Sequence, residues 1–219
     1  MDKVFVVDDG SSDRTAVLAQ EGGAEVIRHP VRRGVGAALQ SGYRAATAQG
    51  FDVVVQLDAD GQHDPRYIPA MLDCVRDADM VIGSRFLNES HAEYSLVRRA
   101  GIWFFTWVVN RLTSAGVTDI TSGYRAFRAA SLGRLTHAPD GHWAVEQTVE
   151  AARKGLVIRE VSVPMPVRRS GKSQFTLRRY ALYPFRMIGA IARGMQSGER
   201  RPAKAAGIPG RGAGTPARR

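Results

Sequence analysis

Short apolar runs recur along this chain between longer stretches of mixed polarity, and two of them stop in acids. Val4-Phe5-Val6-Val7 leads into Asp8-Asp9-Gly10-Ser11-Ser12-Asp13, and Phe51-Asp52-Val53-Val54-Val55-Gln56-Leu57 leads into Asp58-Ala59-Asp60-Gly61-Gln62-His63-Asp64. Five of the seven residues in the second run are apolar, which predicts a strand buried on both faces of a parallel sheet. Arg14 to Gln20 predicts the start of a helix with Ser12 or Asp13 as its N-cap, and Tyr67 to Arg76 a second helix. Strands alternating with helices predict the α/β class, with one Rossmann-like, mostly parallel sheet flanked by helices. At 219 residues and 44% hydrophobic, the chain is long enough to bury one core of that kind.

Open α/β sheets bind ligands beyond the carboxyl ends of their strands, so both acidic strand ends are predicted to share one binding edge. Asp58 and Asp60, with the amide oxygen of Gln62, form a hard, all-oxygen set suited to Mg²⁺ or Mn²⁺ carrying a diphosphate. A solvated Asp-rich turn explains the same loop taken alone. The rival nucleotide-binding device, a glycine-rich phosphate loop, is missing: the chain has no GxxxxGK[ST], and no GxGxxG after a strand. His63, beside the acids, is expected to orient the loop, since Mg²⁺ prefers oxygen. The other four histidines show no metal spacing, and the lone Cys74 is expected to be a packed thiol.

Six strings occur in one order: VVDDGSSDRT (residues 6–15), RRGVGAALQSGY (32–43), DADGQHDP (58–65), GSRF (83–86), DITSGYRAF (119–127) and RRSGKS (168–173). On these the sequence resembles the nucleotide-diphospho-sugar glycosyltransferases of the type A fold. The resemblance is to the inverting branch that includes dolichyl-phosphate mannose synthase and bacterial polyprenyl-phosphate sugar synthases. It implies a nucleotide-diphosphate sugar donor (GDP-mannose or UDP-glucose), a divalent metal (Mg²⁺ or Mn²⁺), and a polyprenyl or dolichyl phosphate acceptor taking mannose or glucose. Residue by residue, it implies metal at Asp60 and Gln62 with Asp58, and donor contacts at Asp8, Asp9, Asp58, Ala59, Arg85, Arg169 and Lys172. It further implies an acceptor-phosphate site at Ser122, Arg125 and Arg99, with Asp60, Arg85 and Arg125 carrying catalysis. Without the motif context, Arg85 reads as a surface ion pair, Arg98-Arg99 as a surface basic pair, and Glu146 as part of a solvated helix face. A phosphate monoester, with a second pKa of about 6, is already a nucleophile at neutral pH, so such an enzyme needs cationic clamps in place of a general base.

One departure stands out. Members of that family usually carry a strand and loop upstream of the VVDDGSSD string, and here that string begins at Val6. Either the start is placed too late, or the first strand of the sheet is missing with part of the base pocket, and the 219-residue form is expected to be weakly active or inactive. The alternative function is a degenerate, non-catalytic membrane-surface or complex-forming homologue.

Half of the net charge of +10 lies at the end of the chain, where Arg200, Arg201, Lys204, Arg211, Arg218 and Arg219 face the single acid Glu199. Residues 197–219 are expected to form a disordered basic tail, serving anionic lipid headgroups or simply solubility. Nucleic acid is not an expected partner, because aromatic residues are not interleaved with the basic ones. Ile102 to Val109 is far shorter than the roughly 20 apolar residues that span a bilayer. Phe175 to Met195 mixes apolar and Arg positions and reads as an interfacial amphipathic helix interrupted at Pro184, or as a helix packed on the domain or in a dimer. The expected organisation is a catalytic domain at 1–174, the helical segment at 175–196 and the tail. The expected location is cytoplasmic, peripheral on the cytoplasmic face of the membrane, with the oligomeric state open.

Overall fold

The computed structural model describes residues 3–87, 96–135, 142–166 and 177–196, with side chains in the last span from Tyr183 onward. In chain order the elements are β1 (Phe5–Asp8), α1 (Thr15–Glu21), β2 (Glu25–Arg28), α2 (Val35–Ala48), β3 (Val53–Gln56), a 3-10 turn (Pro65–Tyr67), α3 (Ile68–Val75), β4 (Met80–Ser84), α4 (Leu96–Thr113), β5 (Arg125–Arg128), α5 (Ala129–Leu132), α6 (Trp143–Arg153), β6 (Ile158–Ser162) and α7 (Leu177–Gln196). The α/β class and the flanking helices are as the sequence predicts.

The hydrogen bonding of the sheet falls into two parts. β1 and β2 pair in parallel, while β3, β5, β4 and β6 form a second sheet in that order, with β4 parallel to β6 and β5 antiparallel to both β3 and β4. β4 is the centre of the molecule: all five of its residues are buried, and its side chains alternate between two apolar layers. Met80 and Ile82 join Phe105, Val109, Phe127, Val149 and Met187 beneath α4, α6 and α7, while Val81 joins Met71, Val75, Tyr124 and Ala126 beneath α3.

Two expectations need correction. β3 is not buried on both faces: Val53, Val54 and Val55 are only half-buried, and among the described residues β3 is the edge of its sheet, paired with β5 alone. Nor is α7 interrupted at Pro184; the helix runs through it. Its Met187, Ala190 and Ile191 are buried, while Phe185 on the other side is 72% exposed. The packing reading therefore accounts for one face of α7. At Gly194 the approach to α6 is so close that a Cβ would lie 2.8 Å from the Glu146 carbonyl oxygen and 2.8 Å from Val149 Cβ, and Arg193 Nε donates to Glu146 at 2.9 Å alongside. Glu146 is thus an ion-pair partner at that contact. Residues 197–219, expected to be a basic tail, lie outside the described residues.

Candidate active site

The loop after β1 is built around its two carboxylates. Asp8 ends the strand with Oδ1 accepting the Ser11 amide at 2.9 Å and Oδ2 3.2 Å from Arg28 Nε; the bond to Ser11 is the main cause holding its carboxyl below the ordinary range. Asp9 turns away from that edge. It accepts the Arg33 and Gly34 amides at 2.9 and 2.8 Å, and His29 Nδ1 lies 2.7 Å away with its Nε2 2.9 Å from Ser41 Oγ. Burial pushes the Asp9 carboxyl up, but these hydrogen bonds outweigh it and leave it lowered. Asp9, expected at the donor, is thus engaged in tying the β1–α1 loop to the β2–α2 loop. Between them Gly10 adopts φ +74°, and a Cβ there would lie 2.8 Å from the Arg32 nitrogen, so only glycine fits.

The loop after β3 is held by His63. The Asp58 amide donates to His63 Nδ1 at 2.8 Å, which fixes the imidazole as the tautomer with Nδ1 unprotonated, and the ring stacks on Tyr124 with centroids 5.0 Å apart. Burial holds His63 below the ordinary histidine range, against the pull of Asp58 and Asp60. Asp60 Oδ1 accepts the Gln62 amide at 3.0 Å, and Gln62 Nε2 donates to the Pro166 carbonyl at 2.8 Å. These bonds set the loop: Asp58 and Ala59 are exposed, and Asp60 and Gln62 half-exposed. Tyr124 Oη closes the far side by donating to the Asp64 carbonyl at 3.0 Å.

The DITSGYR segment packs directly against this loop. A Cβ on Gly123 would lie 3.3 Å from Asp58 Oδ2 and 3.5 Å from His63 Cε1, so the two loops meet where a side chain would intrude. Arg85, after β4, enters from the side. Its Nε and Nη2 donate to the two oxygens of Asp119 at 2.6 and 2.8 Å, and Nη2 also donates to Thr121 Oγ1 at 2.5 Å. Burial raises the Asp119 carboxyl, and the Arg85 charge overrides that to leave it lowered. Glu160 of β6 accepts the Thr118 and Asp119 amides at 2.8 and 3.0 Å, and its own carboxyl is pushed up by burial.

Arg125 corrects the sequence reading. Expected to grip an acceptor phosphate, it is 0% exposed. Its guanidinium donates to the carbonyls of Ser122 (2.9 Å), Ile120 (3.3 Å) and Ala144 (2.8 Å), to Gln147 Oε1 (3.0 Å) and to Thr148 Oγ1 (2.9 Å). It also lies 5.5 Å from the centre of the Trp143 ring. Burial lowers it to about 10, still a cation at neutral pH. Ser122 is buried as well, its Oγ accepting the Tyr124 amide at 3.3 Å. Arg99 lies on α4, while Ser122 and Arg125 are both buried and spend their polar atoms on the protein itself. Arg169 and Lys172 lie outside the described residues.

Arg99 lines a cleft of about 590 Å³ together with Phe86, Trp103, Thr106, Trp107 and Thr118. Phe86 and Thr118 are the chain neighbours of Arg85 and Asp119, so the cleft borders that ion pair. The apolar run of the sequence divides on α4: Ile102, Phe105 and Val109 are buried, while Trp103 is 70% and Trp107 52% exposed. The buried Thr106 hydroxyl has no hydrogen-bond partner. Tyr183 of α7 packs edge-on to Phe105 and to His142, with Arg98, Arg85 and Asp119 in its field. Among the described residues, no helix is long and apolar enough to cross a membrane.

Sequence reasoning missed Asp119, Glu160 and Tyr183. Asp119 was within reach, as the acid opening the DITSGYR string. Glu160 and Tyr183 carry no local signal, since their roles arise from pairing in space.

A parallel β1–β2 pair and a mixed four-stranded sheet flanked by helices, with acidic loops at the ends of β1 and β3, match the type A fold of glycosyltransferases. The chain belongs to glycosyl transferase family 2, which matches residues 2–135. It is 34% identical over 183 residues to an undecaprenyl-phosphate mannosyltransferase from Micrococcus luteus, covering 79% of this chain and 75% of that protein. To a polyprenol monophosphomannose synthase from Mycolicibacterium smegmatis it is 32% identical over 185 residues, covering 79% and 70%. Among solved structures, glucosyl-3-phosphoglycerate synthase from Mycobacterium tuberculosis, in complex with Mn²⁺, uridine-diphosphate-glucose and phosphoglyceric acid, superposes with a TM-score of 0.66 at 21% identity, over 94% of this chain and 78% of that one.

Proposed function

We propose that the protein is an inverting, metal-dependent hexosyltransferase that moves mannose or glucose from GDP-mannose or UDP-glucose to a polyprenyl phosphate, working peripherally on the cytoplasmic face of the membrane. The observation that carries this reading is the junction of three segments: the Asp58–Gln62 loop, fixed by His63, meets the turn before β5 at Gly123, and Arg85 stands beside them on Asp119.

The donor set suits a small hard cation. Among the described residues no three His, Cys, Asp or Glu side chains form a cage, and Asp58, Asp60 and Gln62 supply two carboxylates and one amide oxygen. That matches the habit of Mg²⁺ and Mn²⁺ of taking one or two carboxylates and completing their shell with substrate phosphates and water. Bound there by Asp60, Gln62 and Asp58, the ion supplies charge neutralisation to the diphosphate leaving group. The chain's own residues do the rest. His63 and the Pro166 carbonyl hold the loop so that its oxygens face the donor. Asp8 and the exposed backbone at Ala59 border the nucleoside. Arg85, locked in one orientation by Asp119 and Thr121, adds a fixed positive field where negative charge grows. Arg169 and Lys172 are assigned to the donor diphosphate by the family resemblance alone.

The acceptor enters along the α4 cleft, with its prenyl chain on Trp103 and Trp107 and its phosphate toward Arg99. Arg125 and Ser122 act one layer below, shaping the 120–124 turn. Titration calorimetry with GDP-mannose and with UDP-glucose, in Mn²⁺ and then in excess chelator, tests the donor half. One donor is expected to bind in Mn²⁺ and to be lost both with chelator and in Asp60→Ala. Chelator-insensitive binding would overturn the metal assignment, and metal-dependent binding that Asp60→Ala leaves intact would overturn Asp60 as a ligand.

A further inference from the structure

Beneath the turn that precedes β5, side chains from separate elements form one line of hydrogen bonds. Tyr43 of α2, Gln56 of β3, Arg125 of β5 and Gln147 of α6 are all buried. Arg125 Nη1 donates to Gln147 Oε1 at 3.0 Å, and Gln147 is hydrogen-bonded in turn to the Tyr43 hydroxyl. Tyr43 Oη donates to Gln56 Oε1, and Gln56 Nε2 donates to the Gly123 carbonyl at 2.8 Å.

The two ends fix the direction of everything between them, because a guanidinium only donates and a carbonyl only accepts. Arg125 takes the oxygen of Gln147 and leaves its nitrogen to donate to Tyr43. Gly123 takes the nitrogen of Gln56 and leaves its oxygen to accept from Tyr43. Burial pushes the Tyr43 hydroxyl up to about 12, so it keeps the proton that this direction requires. Neither glutamine can turn its amide over without setting donor against donor or acceptor against acceptor.

The last link reaches the candidate active site. The Gly123 carbonyl is held by Gln56, and a Cβ on the same residue would lie 3.3 Å from Asp58 Oδ2 and 3.5 Å from His63 Cε1. Its neighbour Tyr124 stacks on His63, whose Nδ1 accepts the Asp58 amide. The end of the relay therefore bears on both the carboxylate and the backbone of Asp58.

We propose that Tyr43, Gln56 and Gln147 are positioning residues: the direction of their hydrogen bonds, set by Arg125, holds Gly123 against the Asp58 loop and so places the Asp58 carboxylate for metal and donor. What the loop binds rests on the proposed function, whereas the direction of the relay does not. An isosteric change separates direction from packing. Gln147→Glu gives Arg125 a carboxylate oxygen and turns a second acceptor toward Tyr43. The Tyr43 proton then goes to that carboxylate, the Gln56 nitrogen must turn to Tyr43, and the Gln56 oxygen meets the Gly123 carbonyl. Arg125 gains an ion pair while the turn loses its donor. Adding Tyr43→Phe removes the hydroxyl and lets the Gln56 nitrogen return to Gly123.

Amide hydrogen exchange by NMR on the 219-residue protein, without metal or donor, tests the relay against the buried β4 amides of Val81 and Ile82. Titration of Mn²⁺ followed by electron paramagnetic resonance, with GDP or UDP present, tests its role. Gln147→Glu is expected to speed exchange at Asp58 about tenfold or more relative to Val81 and Ile82, and to weaken Mn²⁺ binding about tenfold. The double variant with Tyr43→Phe is expected to recover most of both. Gln56→Met, which removes the last donor without adding charge, is expected to reproduce the loss. Asp58 exchange at the parent rate in either Gln147→Glu or Gln56→Met would overturn the proposal. A double variant as impaired as Gln147→Glu would overturn it too, since a buried charge alone would then explain the effect. Faster Asp58 exchange with unchanged Mn²⁺ affinity would overturn the role in placing the carboxylate. A parent protein that binds no Mn²⁺ would instead overturn the proposed function, and the metal-free exchange rates would still decide the relay.

Discussion

Replacing Arg125 separates two accounts of the DITSGYR segment. If the guanidinium holds the 120–124 turn from below, Arg125→Met keeps the stem and strips hydrogen bonds from the carbonyls of Ile120, Ser122 and Ala144 and from Gln147 and Thr148. Hydrogen bonds to charged groups are worth about 1.5–3 kcal/mol each, and a buried acceptor left alone costs about 1–3 kcal/mol. The losses overlap because the partners relax together, which puts the total near 4 kcal/mol, a large part of the roughly 5–15 kcal/mol margin of a folded domain. Urea unfolding followed by tryptophan fluorescence should show a markedly lower midpoint for Arg125→Met. Arg125→Lys, whose ammonium has three donors for five partners, should fall between it and the parent protein. Donor binding should weaken in step with stability, since Gly123 of the same turn rests against Asp58. An Arg125→Met protein with an unchanged midpoint and full donor binding, but no sugar transfer, would refute the reasoning and return Arg125 to the acceptor phosphate.

Three other outcomes follow from single contacts. Gly194→Ala drives a methyl to within 2.8 Å of the Glu146 carbonyl and should cost about 1–3 kcal/mol of stability by overpacking the α6–α7 contact, read as a drop in melting temperature. His142 is pushed below its ordinary value of 6.5, first by burial and then by the Arg186 and Arg193 charges. The unfolded chain therefore binds that proton at a higher pH than the folded one, and stability is lost as pH falls from 6.5 toward the folded value. His142→Phe should flatten the fall in urea midpoint between pH 7.5 and 5.5, and an unchanged slope would contradict the assignment. Val54→Pro removes an amide that faces β5 whereas Val55→Pro removes one that faces the open edge, so the first should cost about 1–3 kcal/mol more than the second by urea unfolding.

The apolar-to-acid transitions at Val7-Asp8 and Leu57-Asp58 made the α/β class and the binding edge legible, because strand burial and strand ends are written in local sequence. The division of the sheet was not legible in the run at 51–57, whose residues would suit a central strand and occupy an edge. Arg125 misled for a related reason. Arginine beside Ser122 and Gly123 reads as a phosphate clamp, and only the placement of Trp143, Gln147 and Thr148 on α6 reveals a buried cavity of acceptors waiting for it. His63 was read correctly as a loop-orienting residue, since its spacing from Asp58 allows a local bond from side chain to backbone. The Arg85–Asp119–Glu160 chain joins three distant segments, and no spacing within the sequence announces it.

The most direct test of the enzyme assignment is transfer itself. The purified protein is incubated with undecaprenyl phosphate in detergent and either radiolabelled GDP-mannose or UDP-glucose, with Mn²⁺ or with excess chelator, and label is counted in the organic phase. The account predicts lipid-linked label from one donor, abolished by chelator and by Asp60→Ala. Lipid labelling that persists at full rate under both treatments would contradict it.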